Sequence, residues 1–244
     1  MPREPFFSRP FVSASIVLAI SFIVAALVLA FTLVSLRSLD DTITATGSSK
    51  EIVKADSAKW SLSISRSATE GSIPAGYLAL ARDVEAVRKY LLDGGVTPEQ
   101  ITLGSISVNQ EYTSDSNAPR RYSVYQSIEV VSSDVEKIKT LSQGAGRLIQ
   151  EGFMVNPNPP QYFISNLPDL RVSLLGKAVE DAKNRAEELA KAGGASVGNL
   201  KSASSGVVQV LAPNSIEVQD YGSYDTSTID KEVMITVRAT FSIR

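Results

Sequence analysis

The chain contains neither cysteine nor histidine. Without thiols there is no disulfide framework, no thiolate metal site and no cysteine nucleophile, and the redox compartment stays open. Without imidazole a Ser-His-Asp triad and a zinc hydrolase are excluded, and the commonest general base is missing. Charge of one sign is also scarce: 24 Lys+Arg stand against 26 Asp+Glu, a net −2 that gives no reason to expect a nucleic-acid partner. Three methionines are too few to suggest oxidant scavenging. A length of 244 residues allows one large or two small domains, and the 43% hydrophobic share is unevenly spread.

Most of that unevenness lies near the start. Between Arg9 and Arg37 runs PFVSASIVLAISFIVAALVLAFTLVSL, 27 residues without a charge. About 20 apolar residues cross a hydrocarbon core as a helix, and Ser or Thr within it can bond back to helix carbonyls. A buried core helix is the alternative, but the run exceeds ordinary core helices. A secretory signal is the other: Val28-Leu29-Ala30 meets the small-residue rule for cleavage. Phe31, Leu33, Val34 and Leu36 prolong the apolar run past it, which favours a retained anchor. Arg3 and Arg9 before the span, and Asp40-Asp41 after it, orient the chain by the positive-inside bias. The expected layout is a cytoplasmic tail over residues 1–10, a single transmembrane helix over 11–36 in the inner (plasma) membrane, and an extracytoplasmic, periplasmic part over 37–244.

The exported part alternates strands and helices. Trp60, Leu62 and Ile64 face one way and Ser61, Ser63 and Ser65 the other, the period of a half-buried strand. Val233, Ile235, Val237, Ala239, Phe241 and Ile243 alternate as cleanly, and Thr42–Val53 reads as a further strand. Between Ile101 and Tyr112 the apolar parity changes, which one extra residue near Gly104-Ser105, a bulge, would repair. Tyr122–Val131 forms the other arm of that hairpin. Three helices follow from helical spacing. One carries Tyr77, Leu80, Ala81, Val84, Val87, Leu91 and Leu92. A second opens on the capping-box pattern Ser133-Asp134-Val135-Glu136. The third runs from about Pro168 to Ala192, with Leu170, Leu174, Ala178, Ala182, Ala186 and Ala190 every fourth residue. Its outer face offers Asp181–Arg185 and Glu187–Lys191 pairs. One-faced helices and strands pack as layers, so the expected class is α+β: a two-lobed α/β sandwich with antiparallel or mixed sheets, lobes 42–132 and 133–244, with the strands Thr42–Val53 and Glu232–Ile243 reaching across. Ala212–Asp230 lacks a period and is expected to be a mobile loop.

The same residues resemble the SIMPL-domain family of bacterial envelope proteins. Ile43-Thr44-Ala45-Thr46-Gly47 is similar to its opening strand, and Ala55-Asp56-Ser57-Ala58 continues the likeness. Gly95-Val96-Thr97-Pro98-Glu99-Gln100-Ile101 is similar to its step into a strand. Tyr122, Tyr125 and Ile128-Glu129-Val130 resemble a later strand, and Ala178–Leu189 its alanine-spaced helix, closed by Gly193. Three departures stand out: Gln100 where Asp is usual, Ser48-Ser49 where a second Gly is common, and an uncleaved anchor. The resemblance implies an α+β fold, an envelope location and ring-like homo-oligomers. Some members are linked to protection against oxidative stress, and a eukaryotic member is an adaptor in kinase signalling. The family brings no catalytic residues.

No catalytic, cofactor or metal site is expected. Gly144-Ala145-Gly146-Arg147 lacks the third Gly and strand context of a phosphate cradle and reads as a helix bend. Glu180, Asp181, Glu187 and Glu188 belong to a solvated helix face, and Trp60 to a core. Candidate interface residues are Tyr221 and Tyr224, aromatics in a polar loop, and Arg120-Arg121 at a hairpin tip, where lipid headgroups or a partner are within reach. The expectation is a non-catalytic, membrane-anchored homo-oligomer that supports the envelope under stress, with the bilayer, itself and an envelope protein as partners. The alternative is a tethered module capturing a peptide, lipid or protein through loops 112–121 and 213–230.

Overall fold

The protein is described by a computed structural model over residues 9–37, 41–112, 119–215 and 221–244. The chain opens with helix α1 (Arg9–Arg37). Among the described residues nothing covers Ala14–Thr32, where Phe22 and Phe31 are 79% and 76% exposed, and the stretch is long and apolar enough to cross a membrane, a test a signal sequence also passes. The Ser21 and Thr32 hydroxyls donate at 2.8 Å to the carbonyls of Val17 and Val28, one turn back. Their polarity is thus satisfied within the helix.

There follow β1 (Thr42–Lys54), β2 (Ser57–Thr69), α2 (Ile73–Asp93), β3 (Ile101–Leu103), β4 (Ser107–Gln110) and β5 (Arg121–Ser132). The remainder comprises α3 (Val135–Gly144), α4 (Gly146–Gln150), β6 (Val155–Pro157), β7 (Gln161–Phe163), α5 (Leu167–Ala192), β8 (Val197–Ser205), β9 (Gln209–Leu211) and β10 (Asp230–Ile243). The class is α+β with antiparallel sheets, as expected. Two compact units interleave along the chain. One takes the described residues up to Ser48 with Gly176–Gly206 and Thr236–Arg244; the other takes Ser49–Leu175 with Val207–Ile235.

In the second unit β2 and β5 pair antiparallel from Ala58↔Ser132 to Thr69↔Arg121, with β3 and β4 beside β5 and β6 and β7 beside β2. Trp60, Leu62, Ile64, Val124, Ile128 and Val130 are wholly buried on one face, against Leu80, Val87 and Leu91 of α2 and Ile138 of α3. The Trp60 indole donates to the Asn158 carbonyl at 2.9 Å, so this tryptophan is a core residue as expected. The bulge is present: Leu103 faces Ile128 and Ser107 faces Tyr125, four steps on one strand against three on the other.

Local details correct two expectations and bear out a third. The buried stripe of α2 is Gly76, Leu80, Asp83, Val84, Val87 and Leu91, which leaves Tyr77 47% exposed and Ala81 at the surface. Asp83 faces inward because Arg66 of β2 meets its carboxylate with two bonds, at 2.6 and 2.8 Å. The cap of α3 is Asp134 rather than Ser133: Asp134 Oδ1 accepts the Lys137 amide at 3.0 Å. The Gly144–Gly146 segment is a helix interruption at Ala145, which is wholly buried.

In the first unit β10 lies between β1 and β8 and turns Val237, Ala239 and Phe241 inward, while α5 buries Ala178, Ala182, Ala186 and Ala190. A Cβ on Gly47 of β1 would overlap the Ala178 carbonyl oxygen and the Ala182 amide nitrogen, so strand and helix touch backbone to backbone. On α5 the Asp181–Arg185 pair forms at 2.9 Å, but Glu187 takes Lys183 at 3.6 Å, and Leu189 is 57% exposed.

Candidate functional site

The expected loop between β9 and β10 is fastened around Asp225. Residues 216–220 lie outside the described residues. From Tyr221 on, the chain re-enters structure: the Asp225 amide donates to the Val210 carbonyl, and the Val210 amide to the Ser223 carbonyl, each at 2.8 Å. The Asp225 carboxylate accepts from the Ser227 amide and hydroxyl at 3.0 and 2.6 Å, and from the Thr228 amide and hydroxyl at 3.2 and 2.5 Å. Lys231, at the start of β10, reaches back into this turn. Its ammonium donates to the Asp225 carbonyl at 2.5 Å and to Oδ2 at 3.4 Å, with 0% of the residue exposed. Burial works against the Asp225 carboxylate, but the Ser227 and Thr228 bonds and the lysine charge outweigh it and hold its pKa well below the usual range. Burial pulls the Lys231 pKa below that of an ordinary lysine, against the opposing field of Asp225.

Beside this turn lies a hollow of about 530 Å³. One wall is α3, through Glu136, Lys139, Ser142 and Gln143. Another is Pro159-Pro160, where the missing amides interrupt pairing with β2 between β6 and β7. The loop supplies Pro213 and Ser227 to Asp230. Tyr162 of β7 also lines it, 5% exposed, and its hydroxyl makes no hydrogen bond among the described residues. Since no fully buried side-chain oxygen lacks a partner there, this hydroxyl opens onto the hollow. Burial raises the Tyr162 pKa, and the charge of Glu136 adds to the rise. A second hollow of about 430 Å³ shares Pro159, Pro160 and Ser227 with the first.

The four residues singled out from sequence lie in different settings. Tyr221 is 97% exposed. Tyr224 is 38% exposed and holds the loop: its hydroxyl accepts the Ile164 amide at 2.9 Å, its ring meets Phe163 at 6.0 Å, and Lys231 sits 6.0 Å from its centroid. The segment 221–229 is therefore tied down where a mobile loop was expected. Arg120 and Arg121 are exposed at the start of β5, next to residues 113–118, which lie outside the described residues along with Asp40. Sequence reasoning missed Asp225, Lys231 and Tyr162. A signal for Lys231 existed: it falls in phase with inward-facing Val233 and Ile235.

An α+β chain with antiparallel sheets and an apolar leading helix defines the class. The chain belongs to the SIMPL family, "Protein of unknown function (DUF541)", whose model matches residues 43–242. A comparison with curated proteins found no match. Among solved structures, "The crystal structure of AtUAH in complex with (S)-hydroxyglycine" is similar at 18% identity over 46% of this chain, with a TM-score of 0.23. The chain spans 30% of that structure's length, and so slight a likeness carries no argument.

Proposed function

We propose that the protein is a non-catalytic, single-pass membrane protein whose SIMPL domain lies in the periplasm, assembles with copies of itself and supports the envelope under stress. The observation that carries this reading is α1. A 19-residue apolar stretch, Ala14–Thr32, that no other described residue covers exposes a cylinder of hydrocarbon that water disfavours and a bilayer solvates. For assembly the support is β8, which pairs with β10 along one edge and is exposed at seven of its nine residues. Such an edge offers unpaired backbone groups to a second chain. Alkaline extraction of membranes and protease treatment of spheroplasts test the placement. The chain should stay in the pellet, and its domain should be digested in intact spheroplasts; protection there overturns the orientation. Light scattering of the full chain in detergent tests assembly, and a monomer at all concentrations removes it.

A second reading, a tethered binding module using loops 112–121 and 213–230, is favoured by the hollow that Pro213 and Ser227–Asp230 border.

A further inference from the structure

The hollow beside Tyr162 offers mostly hydrogen-bond acceptors, the Gln143 amide and the Lys139 ammonium being its side-chain donors besides hydroxyls. The Ser142 hydroxyl spends its proton on the Lys139 carbonyl at 2.8 Å, while Ser227 and Thr228 spend theirs on Asp225. Each of these oxygens is left as an acceptor. The three prolines on the wall carry no N–H and contribute ring faces. Two carboxylates, Glu136 and Asp230, stand against one ammonium, Lys139, which already pairs with Glu136 at 3.4 Å, so the wall carries one net negative charge. The Asp230 carboxylate has no partner among the described residues. Tyr162, 5% exposed as a residue, adds a hydroxyl that makes no hydrogen bond among the described residues and opens onto the hollow. A volume of about 530 Å³ lies within the roughly 300–1,000 Å³ range of small-molecule sites.

We infer that this hollow binds an alkylammonium group: its donors meet Glu136, Asp230 and the Tyr162 oxygen, and its methylenes lie along the proline rings. The inference deepens the second reading and needs neither the anchor nor self-assembly. A neutral alcohol of equal size would bring one donor where an ammonium brings three and would leave the carboxylates without a countercharge. An anion would be repelled. The group has two sources of one chemistry, a free polyamine or the lysine side chain of an extended peptide.

Isothermal titration of the full chain in nonionic detergent, at low salt, tests the site with spermidine, with a lysine-containing peptide, and with a diol of matching length. Spermidine or the peptide should bind saturably at one site, more weakly as salt rises, and the diol should not. Saturation by spermidine alone names the free amine; saturation by the peptide alone names the side chain. Tyr162→Phe keeps the ring and should weaken binding about fivefold, and Glu136→Gln about tenfold, as the loss of one neutral and one charged hydrogen bond implies. Urea midpoints of both variants show whether they remain folded; if one does not, the other carries the test. Absence of saturable binding by either cation overturns the inference. So does equal binding of the diol, or unchanged affinity in the folded variants. Because light scattering and membrane extraction read other parts of the chain, failure here leaves anchoring and assembly standing.

Discussion

An ammonium withdrawn from water is tolerated only where partners replace its hydration, and Lys231 finds them in one residue, Asp225, through both carbonyl and carboxylate. The pair is unequal. Without Lys231 the carboxylate, 20% exposed, keeps its bonds to Ser227 and Thr228. Without the Asp225 side chain the lysine keeps a buried charge with only the main-chain carbonyl of residue 225 to meet it, and Ser227 and Thr228 lose their acceptor. Asp225→Ala should therefore destabilise the full chain by about 3–5 kcal/mol and Lys231→Met by less, read from urea midpoints in detergent. Acidity should act the same way. A carboxylate held below its unfolded pKa of about 3.9 contributes stability that is complete above that value and disappears as pH falls beneath it. The wild type should lose stability as pH drops from about 5 through 3, and Asp225→Asn should show a shallower acid limb over that window. Equal slopes would detach the turn from this carboxylate.

Between elements, the closest approach is that of β1 to α5. Gly47 and the alanines at 178 and 182 are small for one reason: the Ser48 amide donates to Asp181 Oδ2 at 2.7 Å just beyond the point where Gly47 meets the helix backbone. That bond, with Arg185 adding its charge, holds the Asp181 pKa down. Gly47→Ala should push strand from helix at about 1–3 kcal/mol. Gly176→Ala, within α5 and with nothing within 4 Å of the added carbon, should instead stabilise by about 0.5–1 kcal/mol. Opposite signs for one substitution, measured by thermal denaturation, check the contact. The family departure at Gln100 also has a physical account. Its Oε1 accepts the Thr97 amide at 3.0 Å, as a shorter acid would, and its amide donates to Ser132 at 3.1 Å. Much at this scale was legible because period and parity are local. The extents of α5 and β1 and the bulge near Gly104 follow from spacing alone. Asp134 and Ser133 are both good caps, and only backbone geometry chooses between them. Tyr224 reads as a loop aromatic because its partners, Ile164 and Phe163, lie about sixty residues away. The hollow was invisible for the same reason: α3, β7 and the 226–230 turn meet only in three dimensions.

For the whole molecule, three elements begin in one unit and end in the other: β1, α5 and β10. Each element keeps its own period throughout, so local pattern does not mark the residue at which one unit yields to the other. The interleaving predicts that neither unit is separable by cutting the chain once. Deleting residues 236–244 removes the strand between β1 and β8 and should abolish the cooperative unfolding of that sheet, observable by hydrogen exchange at Ala45 and Ala203. Retained protection at both positions would show that the sheet holds without its middle strand. The position of that strand also sets an order of events during synthesis. β1 emerges from the ribosome early, yet its neighbour is among the last segments translated, so the nascent polypeptide travels with an unmatched edge until residues 236–243 follow. Until then that edge is open to mispairing.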